Sequence, residues 1–145
     1  MNFRPTCIST VLAAALFSLV VLAGAQDKTI KKVPAKSSNP ASGAEMYKQY
    51  CAVCHGTGGK GDGPAASALK IPPPDLTTLA KRHDGKFPDD YVATVLRNGA
   101  KNPAHGTAEM PIWGPIFGTM SQGDEGQVSL RISNLTKYLK SLQVQ

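Results

Sequence analysis

The chain has 145 residues, 41% of them hydrophobic, and a formal net charge of +6. That length suits one domain. Residues 41–145 carry eleven basic and nine acidic side chains, and the excess of positive charge lies mostly in Lys28, Lys31, Lys32 and Lys36. A dense basic face on the domain is therefore excluded, and with it a nucleic-acid partner.

Residues 1–25 read as a signal peptide. Arg4 supplies the positive start, Ile8 to Ala25 contains no charge, and Ala23-Gly24-Ala25 has the small-x-small form cut by signal peptidase. Cleavage is expected before Gln26. The rival reading is an uncleaved membrane tether, because 18 uncharged residues approach the length of a span. Either way the domain is exported, and a periplasmic location is expected. Cys7 precedes the apolar stretch and leaves with the peptide. Residues 26–40, rich in Lys, Ser and Pro, read as a disordered linker, and residues 41–145 as the folded domain.

Ser42 and Glu45 form a capping-box pattern. Met46, Tyr47 and Tyr50 come next at helical spacing, so a first helix runs through Cys51 and ends near Gly56. Gly56, Gly58, Gly59, Gly61 and Gly63 read as a flexible stretch closed by Pro64. A short helix is expected over 65–70, stopped by Pro72-Pro73-Pro74, and another over 76–82, capped by Asp75. Pro88-Asp89-Asp90 opens a clearer helix that ends at Gly99. Residues 100–123 show no helical period and read as a long loop. The last helix starts near Asp124, with Val128, Ile132, Leu135, Tyr138, Leu139 and Leu142 on one face. The class is all-α. A loop of 24 residues counts against a compact domain unless it is functional, and an internal prosthetic group would give it something to pack on.

Cys51, Cys54 and His55 stand at i, i+3 and i+4, one face of a helix. Two thiols on that face can reach the two vinyl groups of one haem while the imidazole reaches its iron, and Cys-x-x-Cys-His is the signature of covalent haem c. A zinc site and a redox dithiol are the rival readings. Zinc sites usually draw on two ligand pairs, and this chain has no second pair. One motif implies one haem.

Met110, Met120, His83 and His105 are the side chains available for the sixth iron position. Met46 lies too close to Cys51 on the same helix and reads as core. Met110 is the preferred ligand: it lies in the loop, and Pro111 stiffens the chain beside its sulfur. Met120 reads as packing, His83 as a solvated turn residue, and His105 as solvated or near a propionate. A Met/His pair raises the reduction potential and leaves no open iron position. The expectation is a carrier of single electrons and not an enzyme.

At this point the chain resembles class I cytochromes c over Ser42 to Leu142. Gly43 and Tyr47, the haem motif, and Leu135 with Tyr138 carry the resemblance. It implies a cytochrome c fold of four to five helices around one covalent haem, with the first and last helices crossing and Gly43 at the contact. Gly61-Asp62-Gly63-Pro64, Pro74-Asp75-Leu76-Thr77 and Met110-Pro111-Ile112-Trp113-Gly114 are similar to bacterial monohaem cytochromes c of the type also found as domains of terminal oxidases. By the same resemblance a proline carbonyl orients His55; Pro64 is the candidate, with Pro72 to Pro74 the alternatives, and Trp113 is a candidate donor to a propionate. Ala65, Ile71, Ile112 and Phe117 are expected at an apolar haem edge, where a redox donor and acceptor dock transiently. The alternative readings are a haem-bearing subunit or sensor of a larger complex, and a ligand-binding haem protein with open iron.

Overall fold

The computed structural model describes residues 36–99 and 110–144. The expected signal peptide (1–25), the first ten residues of the linker and His105 lie outside the described residues. Every regular element among those described is helical, as the apolar spacing requires.

The first helix is composite. It consists of α1 (Gly43–Met46), a π-helical turn (Tyr47–Cys51) and α2 (Ala52–His55). Ser42 caps it by accepting from the Glu45 backbone N–H. The Glu45 carboxylate does not close the capping box on Ser42; it accepts from Asn39 N–H at 3.2 Å. The expected helices at 65–70 and 76–82 are only 3-10 turns, Ala66–Ala68, Leu76–Thr78 and Lys81–His83. Helix α3 (Asp89–Asn98) begins after Pro88 and stops at Gly99, with Asp89 and Asp90 in its first turn. Residues 113–120 form α4 (Trp113–Met120). The last helix, α5 (Glu125–Ser141), is capped by Asp124, whose side chain accepts from Gly126 and Gln127 N–H.

Two further expectations are corrected. The segment 100–123 is not all loop, since α4 lies within it. Gly114 and Pro115 read as helix breakers, but Pro115 falls in the first turn, where its missing N–H costs no intrahelical bond. Gly114 lets α4 approach α3, because a Cβ there would collide with the Arg97 carbonyl. The linker also ends earlier than residue 40. Lys36 O accepts from Tyr50 OH at 2.6 Å and from Gln49 Nε2 at 2.9 Å, and Asn134 Nδ2 donates to Pro40 O at 3.0 Å. Buried Ser38 receives Arg131 Nη1 on both its carbonyl and its hydroxyl. Composition suggested disorder here, but the buried Arg131 guanidinium on α5 needs acceptors, and this segment supplies them.

The core is the face of α5 formed by Val128, Ile132, Leu135 and Leu139, packed on Met46 and Tyr47 from the first helix, Val92 and Leu96 from α3, and Trp113 and Phe117 from α4. Met46 is fully buried, as its core reading required. The first and last helices cross at Gly43. A Cβ there would strike the Asn134 carbonyl oxygen and lie 2.8 Å from Tyr138 Cβ. The backbone partner is thus Asn134, one residue from the expected Leu135, and Tyr138 packs on Tyr47 with ring centroids 5.3 Å apart. The Arg97–Glu125 and Lys140–Asp89 pairs link α3 to α5 at the surface, where such pairs add little. Gly43→Ala should separate the crossing helices and destabilise the domain by about 1–3 kcal/mol, read as a lower urea midpoint; an unchanged midpoint would mean that the helices cross without needing this close approach.

Candidate functional site: a haem-attachment centre

The π turn decides where the site faces. In an uninterrupted α-helix of about 3.6 residues per turn, Gly43, Tyr47, Cys51 and Cys54 would share one stripe. That stripe already packs on α5 through Gly43 and Tyr47. The Ala52 N–H instead donates to Tyr47 O, one residue further back than in an α-helix. The extra residue turns the remainder of the helix by roughly 100°, so the thiols and imidazole leave the face that α5 covers. No propensity in the sequence marks this turn. The conflict on the shared stripe is the signal that could have revealed it.

Cys51 is buried, Cys54 half-buried, and both thiols are free. Burial, reinforced by the charge of Cys54, pushes the Cys51 thiol up to about 12. A redox dithiol depends on a thiolate at neutral pH, and burial disfavours that form at Cys51. Among the described residues no three His, Cys, Asp or Glu side chains are gathered as a metal ion would need.

His55 is 9% exposed, and its Nδ1 lies 3.3 Å from the Pro74 carbonyl oxygen. A carbonyl only accepts, so Nδ1 carries the proton and Nε2 keeps its lone pair. Burial lowers the His55 pKa, and the bond to Pro74 only partly opposes this. The ring is thereby held neutral, the form that ligates a metal. Pro74, and not Pro64, orients the ring. The reason is the path of the loop: Gly61 N–H donates to His55 O at 2.9 Å, Gly63 N–H to Cys54 O at 3.1 Å and Ala65 N–H to Val53 O at 2.9 Å. These bonds satisfy the carbonyls left open at the end of α2 and commit the chain around Pro64 to the helix backbone. The glycine stretch is therefore a bonded strap and not a flexible loop. A Cβ on Gly63 would lie 2.5 Å from Val53 O, and one on Gly61 would collide with Pro73 O.

Tyr47 OH closes the centre by donating to Gly56 O at 2.7 Å. Burial, then the charges of Cys51, Tyr138 and Asp62, raise its pKa to about 12.

Met110 is 41% exposed, two residues before the N-cap of α4, and is not buried as His55 and Cys51 are. The rival Met120 is packed against the core, its sulfur 3.6 Å from the Tyr50 phenol oxygen, whose one proton goes to Lys36 O at 2.6 Å. His83 is exposed in its turn, with its ring 6.0 Å from that of Tyr91. Ile71 and Ile112 are exposed, as an apolar edge requires, but Phe117 is fully buried. It belongs to the aromatic cluster with Tyr50 and Trp113, and the missed α4 is the element that carries it inward. Trp113 is 7% exposed in the same cluster.

Two free thiols and a neutral imidazole with its far nitrogen anchored, within five residues, are a donor set that fits covalent haem. Together with the helical architecture they define a c-type cytochrome with the cytochrome c fold. Residues 38–128 match the family described as cytochrome C oxidase, cbb3-type, subunit III, and the chain belongs to that family. No curated protein and no solved structure gives a significant match to the chain. Membership makes it a haem-binding redox protein, an electron carrier or redox subunit, whose haem c is held covalently. Among the described residues no helix is long and apolar enough to cross a membrane.

Tyr47→Phe should cost about 0.5–1.5 kcal/mol at neutral pH by removing the bond to Gly56. The phenol is neutral in the folded chain up to about 12 but ionises near 10.0 when unfolded. Its contribution is therefore complete below pH 10 and is lost as pH rises from 10 towards 12. Urea unfolding of both proteins across that range should show the wild type losing its advantage over Tyr47→Phe; a difference constant with pH would refute the assignment.

Proposed function

We propose that this protein is an exported monohaem cytochrome c that carries single electrons between redox partners through a haem ligated by His55 and Met110. The observation that carries the reading is His55, buried and neutral, with Nδ1 committed to Pro74 O beside two free thiols. Cys51 and Cys54 would hold the haem by thioethers, and His55 Nε2 and Met110 Sδ would ligate its iron. When bound, the haem supplies a one-electron couple, and a methionine ligand raises its potential.

The chain's own residues hold that couple in place. Tyr47 and the strap Gly61–Ala65 brace the segment carrying the thiols, and Pro74 keeps the imidazole in one tautomer. Two considerations favour Met110 over Met120: its place before Pro111, and the packing of Met120 against the core. With His55 and Met110 both engaged, the chain would move electrons and would not bind oxygen or peroxide. The N-terminal segment supports export to the periplasm, with transient docking to a donor and an acceptor protein.

The family description, which is worded for an oxidase subunit, favours one second reading: a haem-bearing subunit held in a larger complex. Persistent co-purification with a fixed partner would support it, whereas electron exchange by the isolated protein with several partners supports the free carrier.

Met110→Ala, made with haem maturation, should lose the methionine-to-iron absorption band, bind carbon monoxide at once when reduced, and fall in potential by on the order of 0.1 V. A variant that keeps the band would transfer the ligand role to Met120. Mass spectrometry of the mature protein should show one covalent haem and a chain beginning at Gln26.

A further inference from the structure

The Pro74 carbonyl is held at a distance where small movements count. At 3.3 Å from His55 Nδ1 the bond lies at the long end of the useful range, and a few tenths of an ångström more would end it. Whatever fixes the backbone after Pro74 therefore controls the imidazole.

That backbone is tied down by the chain's C-terminal tail. Gln143, just past α5, uses its whole side-chain amide. Its Oε1 accepts from Ala80 N–H at 2.9 Å, and its Nε2 donates to Leu76 O and to Leu139 O, both at 2.8 Å. Val144 N–H adds a bond to Thr77 O at 2.9 Å. Among the described residues, the hydrogen bonds between the Leu76–Ala80 segment and the end of α5 all come from these two residues. The turn's other bonds lie within the loops: Leu76 N–H to Gly59 O at 2.7 Å, Thr77 N–H and Oγ1–H to Asp75 Oδ1 at 2.8 and 2.6 Å, Arg82 Nη2 and Thr78 Oγ1–H to Asp75 O at 2.8 and 3.4 Å, and His83 and Gly85 N–H to Ala80 O at 3.0 and 2.9 Å.

We propose that Gln143 is a positioning residue for His55, acting through the Leu76–Ala80 segment and the Pro74 carbonyl. The proposal rests on His55 being an iron ligand. An N–H···O bond to a ligating imidazole raises the basicity of the ring, which favours the oxidised iron. Releasing the turn from α5 weakens that bond and favours the reduced form. Gln is required because no carboxylate or thioether both accepts from Ala80 and donates to Leu76.

The test uses the full chain loaded with haem, as wild type, Gln143→Ala and Gln143→Met. Gln143 lies beyond the last buried leucine, Leu139, so the core is left intact, and methionine keeps the side-chain volume without the bonds. Both variants should exchange the Ala80 amide at least ~10-fold faster. Poised at the wild-type midpoint, both should show a reduced-to-oxidised ratio at least ~2-fold higher. Faster exchange with an unmoved or lowered ratio would reduce Gln143 to a structural clamp and overturn the proposal. Unchanged exchange would also overturn it, and so would a Gln143→Met protein that behaves as wild type. A wild-type spectrum without histidine ligation would overturn the underlying reading, and it is recognised without either variant.

Discussion

One short helix has to serve two masters. Its early face must touch α5 closely enough that Gly43 has no room for a Cβ against the Asn134 carbonyl, and its last turn must offer two thiols and an imidazole elsewhere. A regular helix cannot do both, since it would place Gly43, Tyr47, Cys51 and Cys54 along one stripe. The π turn at Tyr47–Cys51 separates the faces with one extra residue. The offset falls between Gly43, which meets α5, and the turn that carries the thiols and the imidazole.

The end of the same helix poses a second problem, because its last carbonyls have no partner within it. The glycine strap supplies amide donors from alternate residues to Val53, Cys54 and His55. It has to be glycine-rich because it runs so close to the helix and to Pro73 that side chains at 61 and 63 would meet backbone. The strap then delivers the chain to Pro74, whose carbonyl holds the imidazole. Backbone accounting at a helix end and orientation of a metal ligand are thus met by one loop. The loop is in turn fastened to α5 by Gln143, which connects the helix crossing to the site.

Arg131 shows the same economy at the other end of α5. Buried, it lies over the Phe117 ring at 5.8 Å and donates to Ser38. A buried cation is costly unless it is hydrogen-bonded; Ser38, in the polar segment before the first helix, accepts from Nη1 on two oxygens, while Nε has no partner among the described residues. That segment is ordered by the cation it solvates.

The sequence alone determined the elements whose causes are local. The Cys51–His55 spacing, the Ser42 and Asp124 caps, the stop at Gly99 and the apolar face of α5 are written in short-range pattern, and family membership agrees with the class they imply. Reading residue by residue failed where distant chain supplied the cause. Helix α4 looked like loop because Gly114 and Pro115 are helix breakers in isolation, yet one serves close packing on α3 and the other sits harmlessly in a first turn. Residues 36–40 looked disordered because Arg131, about 90 residues away, is invisible to local composition. The choice of Pro74 over Pro64 and the π turn were decided only by tertiary structure. Each settles a competition between groups that meet only when the chain is folded.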